Sequence, residues 1–227
     1  MIEIDLDEVD VRAINDRLHK LPPDTNERLW RIVNPKGAHA LAVGLDRPIE
    51  IEIAGHVGYY CAGMNKAATI TIKGHAGPGL AENIVSGTVR VSGNASQSAA
   101  ASGRGGLVVI QGDASSRCGI SMKGVDIVVG GSVGHMSAFM AQAGHLVVCG
   151  DAGPHLGDSI YEAAIFVRGK VASLGSDCIE KELTQKHRTK LSQLLESANI
   201  DADVAEFRRY GSARKLYNFK VDHAAQY

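Results

Sequence analysis

The sequence predicts a mainly β protein organised around a right-handed parallel β-helix of seven 19-residue turns. Three observations carry that prediction. Glycine recurs on a strict, uninterrupted period at Gly55, Gly74, Gly93, Gly112, Gly131, Gly150 and Gly169. Four and two residues before each glycine stand apolar, mostly β-branched residues, from Ile51 and Ile53 in the first copy to Ile165 and Val167 in the last. Two residues after it stands Val57, Ala76, Ala95, Ala114, Val133, Ala152 or Val171. A fixed period of this size marks a repeat architecture. Its local alternation marks a short strand with one buried face. So short a strand cannot bury that face alone, and stacking the copies makes an inner ladder of Ile and Val. A repeat of this length is too short for a strand, a crossover helix and the return. The repeated glycine is expected to supply a positive-φ bend or a close backbone approach.

Three regions follow: an α/β cap over 1–48, the β-helix over 49–175, and a helical, docking C-terminal tail over 176–227. In the cap, Ile2, Ile4 and Leu6 alternate as a strand. Val11, Ile14, Leu18 and Leu21 recur at helical spacing up to Pro22-Pro23. Trp30–Val33 and Ala38–Val43 read as two strands joined by the turn Asn34-Pro35-Lys36-Gly37. After Val171, Asp177-Cys178-Ile179-Glu180 resembles a capping box. Ile179, Leu183, Leu191, Leu194 and Leu195 then mark a helix to about Ala198. A second short helix is expected over Asp203–Tyr210. The tail carries Phe207, Tyr210, Tyr217, Phe219 and Tyr227 among five basic residues, a composition unlike that of disordered tails.

Because copies stack, equal offsets form columns. The outward column three before each glycine runs Glu52, Thr71, Arg90, Val109, Val128, Val147, Phe166. Its C-terminal half is apolar and must be covered. Either the chain's own terminal elements cover it or a partner subunit does. Val109, Val128, Val147 and Phe166, with Tyr210, Tyr217 and Phe219, are the candidate partner interface.

The 24 basic and 25 acidic side chains leave a net charge of −1. That is no footprint for nucleic acid or an acidic membrane. The acidic beginning is unlike a signal peptide, no apolar run reaches the length of a span, and the four cysteines have no CxxC spacing. A cytoplasmic location is expected. Cys61 and Cys118 share an offset but lie three turns apart, too far to share zinc. His56 and His75 stack on adjacent turns, as half a metal site or a proton relay would. Their column continues Asn94, Asp113, Ser132, Asp151, Lys170 and reads as a solvated polar corner. His135 and His155 are weaker ligand candidates. The glycine-rich stretches 74–79 and 103–106 precede strands, whereas a phosphate loop precedes a helix. Ser121 and Ser159 have no base partner at motif spacing. No catalytic, cofactor-binding or metal-binding residue is assigned.

Gly150-x-x-Gly153-x-x-x-Gly157 resembles the G-xx-G-xxx-G pattern of the C-terminal β-helix domain of the glutamate synthase large subunit. Gly55-x-x-Gly58-x-x-x-x-Gly63 and Gly131-x-x-Gly134 are looser copies. The resemblance covers about residues 35–180, and the tail Phe207–Phe219 is similar to the stand-alone form of that domain. It implies a non-catalytic scaffold that holds an amidotransferase-like subunit and an FMN-binding synthase-like subunit together. The form it is most like is the N-methylglutamate synthase type, which makes N-methylglutamate from methylamine and glutamate. FMN and an iron–sulfur cluster would then reside in the partner subunits. Glutamate synthase itself, the β-helix subunit of formylmethanofuran dehydrogenase, and a self-assembling structural β-helix are the alternatives.

Overall fold

A computed structural model describes residues 1–216. Tyr217 and Phe219 lie outside the described residues. One sheet of eleven strands runs the length of the molecule in the order β1-β2-β3-β4-β5-β6-β7-β8-β9-β11-β10. β1 (Ile2–Asp5), β2 (Leu29–Val33) and β3 (Glu50–Ile53) begin it. β4 (Thr69–Ile72), β5 (Thr88–Val91), β6 (Leu107–Ile110), β7 (Lys123–Val129), β8 (Ala143–Val148) and β9 (Ala164–Val167) continue it. All these neighbours are parallel, and from β3 onward partners such as Ile51, Ile70 and Val89 stand one repeat apart. A second line of parallel bridges links Val57, Ala76, Ala95, Ala114, Val133, Ala152 and Val171. The parallel β-helix is therefore the fold.

Inward residues from both lines are buried, apart from the half-buried Val171 at the end, and Ile53, Ile70, Ile72, Val89 and Val91 expose nothing. Each such side chain contributes about 1.5–3 kcal/mol of burial free energy. The stacking register makes the column continuous, so the core is one ladder running from coil to coil.

The repeated glycines work by close approach. Of the seven, only Gly55 has a positive φ, at 151°. A Cβ on Gly74 would stand 2.6 Å from the carbonyl carbon of Gly55, and one on Gly150 would stand 2.7 Å from that of Gly131. The expected left-handed bend lies elsewhere. Five, seven and nine residues after the glycine, φ is positive in coil after coil: Tyr60, Ala62 and Met64, then Gly79, Ala81 and Asn83, and so on to His155, Gly157 and Ser159. Left-handed backbone costs a non-glycine residue roughly 1–2 kcal/mol. Hydrogen bonds between coils hold it: Tyr60 N–H donates upward to Pro78, Ala62 N–H downward to Leu41, and Met64 N–H upward to Glu82. The middle position is always Ala or Gly and is buried; at Gly157 even a Cβ would stand 2.8 Å from Cys178 Sγ.

The cap and the solenoid meet earlier than the sequence suggests. Ala38–Val43 is not a strand but the left-handed segment of an additional coil, with φ positive at Ala40, Ala42 and Gly44. That coil pairs Trp30 with Ile51 and Arg31 with Glu52, and its two extra residues hide it from the period of the others. Helix α1 (Val11–His19) is capped by Asp10, whose side chain accepts from Ala13 N–H at 2.7 Å. It buries Ile14 and Leu18. Asn15 on α1 donates to Ala40 O and accepts from Ala42 N–H, closing the exposed backbone of that first coil.

The C-terminal end differs from expectation in two elements. Residues 177–180 do not cap a helix; Cys178–Lys181 is strand β10. Helix α2 runs later, Gln185–Ala198. Ile179 lies on β10 and is exposed, whereas Leu191, Leu194 and Leu195 form the buried helical face. The expected helix over 203–210 is a 3-10 turn, Val204–Glu206, followed by strand β11 (Arg208–Ser212). β11 lies antiparallel on β9 and also carries β10. It occupies the β9 edge, which would otherwise offer unpaired backbone groups to another chain.

Candidate functional site

The outer polar corner is a hydrogen-bonded ladder. Each side chain one residue after a glycine reaches over the glycine of the next coil and accepts that coil's backbone N–H. His75 N–H donates to His56 Nδ1 at 2.9 Å, and Asn94 N–H to His75 Nδ1 at 2.8 Å. Asp113 N–H then donates to Asn94 Oδ1, Ser132 N–H to Asp113 Oδ1, Asp151 N–H to Ser132 Oγ, and Lys170 N–H to Asp151 Oδ1. The acceptor fills the space a Cβ on the next glycine would need: on Gly93 that Cβ would stand 2.5 Å from His75 Nδ1. Glycine and acceptor are thus one device, which explains why His, Asn, Asp and Ser interchange along the column. The rings of His56 and His75 stack with centroids 4.9 Å apart, and those of His135 and His155 meet edge-on at 5.4 Å. Among the described residues no group of three or more His, Cys, Asp or Glu side chains is placed to hold a metal ion.

The apolar outer stripe is covered by the chain itself. Val109, Val128, Val147 and Phe166 are 0 % exposed and pack under Leu191, Leu194, Leu195 and Ala198 of α2, with Phe207. These four valine and phenylalanine positions are therefore not an open partner interface. Tyr210, also placed in that interface, is buried in the main core as part of β11. Hydrogen bonds pin the end of α2: Arg90 donates to Ser197 O at 2.5 Å, and Gln111 to Ala198 O at 3.1 Å.

Beside this seam lies a polar cluster. His145 Nδ1 is 2.7 Å from Asp126 Oδ1, and Lys190 Nζ on α2 is 2.8 Å from Asp126 Oδ2. Desolvation pushes the Asp126 carboxyl up, but the hydrogen bonds and charges of His145 and Lys190 outweigh it and hold the group below its usual range. His145 stacks on Phe166, and His187 of α2 tilts against the same ring. Desolvation, then the charges of Arg209 and Lys186, lowers the His187 pKa. Asp126 and His145 are neighbours in one column, on adjacent coils, though their contact was not among the expectations read from the sequence. The approach of Lys190 depends on where α2 docks.

The cluster is an ionic clamp. The free cysteines are buried. Burial pushes the thiols of Cys61 and Cys118 up to about 12, and burial with nearby Asp177 does the same for Cys178. Such thiols stay protonated and unreactive at neutral pH. Exposed apolar side chains gather on the left-handed side, at Tyr59, Met64, Val85 and Met140. Among the described residues no helix is long and apolar enough to cross a membrane.

No protein-family model matches the chain. Protein GlxC of Rhizobium meliloti (strain 1021) is 59% identical to it over 225 residues, which are 99% of this chain and 99% of that protein. Identity of this extent, spanning cap, coils and closing strands alike, makes this chain a member of the GlxC family.

Proposed function

We propose that the chain is a non-catalytic scaffold subunit of a glutamate-synthase-like flavoenzyme of the N-methylglutamate synthase type. It would hold an amidotransferase-like chain and an FMN-binding, synthase-like chain at constant separation. FMN and an iron–sulfur cluster would be held by the partners, and the complex would join methylamine to glutamate. The observation that carries the reading is the unbroken coil stack bearing the Gly150-x-x-Gly153-x-x-x-Gly157 motif. From Gly55 onward, the coils are locked to one another on three sides, by the sheet, by the bridges after the glycine and by the left-handed hydrogen bonds. A body so cross-tied keeps two bound chains at a fixed distance, which transfer of a small amine between two sites requires.

The test is a native pull-down of the tagged chain from its source cells, with identification of co-purifying chains and a visible absorption spectrum. An amidotransferase-like chain, a synthase-like chain, flavin absorption and turnover of methylamine plus glutamate are expected. A colourless chain that brings down neither partner would overturn the proposal.

A further inference from the structure

Where β10 and β11 pair at the C-terminal end of the sheet, Lys181 stands directly opposite Arg209. Residues so opposed hold their Cβ atoms about 4.5–5.5 Å apart, and like charges there destabilise the pair. Among the described residues this is the one place in the sheet where two charges of the same sign face each other. Elsewhere facing charges are opposite, as Arg31 is to Glu3 and Glu52. Both cationic side chains approach Gly211: a Cβ there would stand 3.4 Å from Lys181 Cδ and 4.0 Å from Arg209 Nη2. Lys181 Nζ donates to Ser212 O, and Arg209 Nη1 to the backbone oxygen of Glu182, each at 3.0 Å. Arg209 Nε is closed to water and has no acceptor. Among the described residues it is the one buried side-chain nitrogen or oxygen left so, and a buried donor of this kind calls for an acceptor. On the same face Ile179, opposite Gly211, is 43% exposed.

We propose that Lys181 and Arg209 form a binding site for an organic carboxylate, carried by a free acid or by a neighbouring chain. With Nη1 held by Glu182, the Nε–Nη2 edge is the fork left for bidentate pairing with a carboxylate. Presenting that edge takes an outward swing of the guanidinium, for which the missing Cβ of Gly211 leaves room. Lys181 supplies the second positive charge, and the bound anion turns a repelling pair into an attracting triad. Ile179 suits the apolar body of an organic acid, which inorganic phosphate lacks. The site rests on this strand pair alone and not on the assembly proposed above.

The test follows proton–nitrogen NMR resonances of the full chain, above all Arg209 Nε–H and the Gly211 amide. The probe is sodium butyrate, with sodium chloride at equal ionic strength as the reference, at about pH 7.5 so that the acid is ionised. The wild-type chain should show saturable shifts at both groups with butyrate and none with chloride. Lys181→Gln should bind butyrate about tenfold more weakly, and Lys181→Arg, which keeps the charge, should bind it as the wild type does. Unchanged thermal unfolding in chloride is the folding control for both variants. Shifts that fail to saturate, equal shifts with chloride, equal affinity in Lys181→Gln, or tighter binding of inorganic phosphate would overturn the proposal. The native pull-down then separates the two sources. A chain lost from Lys181→Gln but kept by the wild type and Lys181→Arg carries the carboxylate itself; an unchanged set of chains assigns it to a free acid.

Discussion

At single residues, the repeat places two chemically different demands side by side. The glycine column needs the absence of a Cβ, and the next column needs a short acceptor. Gly74→Ala would drive a Cβ into the backbone of Gly55 and His56. It should cost about 3 kcal/mol in urea unfolding. Gly37→Ala meets nothing within 4 Å but sits at φ 77°, so about 1 kcal/mol is expected. Asn94→Ala removes the acceptor of Asp113 N–H at an exposed corner, where water can replace it. We expect about 1 kcal/mol or less and faster hydrogen exchange at the Asp113 amide. Asn94→Ser should restore protection, since Ser132 already plays that part for Asp151. Unchanged exchange in Asn94→Ala would refute the ladder.

Among the elements, helix α2 decides what the sheet shows to solvent. Val128→Asp would bury an unpaired carboxylate beneath it and should release the helix, at about 3 kcal/mol or more. Proteolysis within 182–203 would report the release; a stable, protease-resistant variant would contradict the packing. Acid should weaken the same seam in two stages. His187 has a folded pKa below its ordinary 6.5, so its neutral form is favoured in the folded state. Its contribution is complete above pH 6.5 and is lost as pH falls below that value. Asp126 has a folded pKa below 3.8, so its contribution is complete above that value and is lost as pH falls through the depressed folded value. Hydrogen exchange of α2 amides should therefore be flat between about pH 7 and 8 once corrected for intrinsic rates, and should lose protection below about 6.5. His187→Gln should remove the first stage alone.

For the whole molecule, α1 is tied to the backbone of the first coil and β11 covers the β9 edge at the other end, leaving the short strands β1 and β10 at the sheet's edges. The purified chain should run in size-exclusion chromatography without higher, end-to-end polymers. Removing 176–227 would uncover the β9 edge and the stripe from Val109 to Phe166 together. That truncation should aggregate, and a monodisperse product would show that the closing elements are dispensable.

The sequence by itself determined the β-helix, its coil length, the inward Ile and Val ladder and the polar corner. Each depends only on period and side-chain class, and stacking carries identical offsets onto one another whatever the chain does between them. Asp126 and His145 stand at one offset on adjacent coils, but their contact was not among the expectations read from the sequence. The extra coil at 29–48 was hidden because its strand spacing departs from the period. The left-handed residues were hidden because Tyr60, Met64 or Arg117 has no intrinsic preference for positive φ; hydrogen bonds from the adjoining coils impose it. Only the tertiary structure decided that α2 covers the outer stripe, that Tyr210 belongs to the core, and that Cys178–Lys181 is a strand. Those outcomes depend on how the chain after Val171 folds back on coils far away in sequence, and no local pattern encodes the place where it lands.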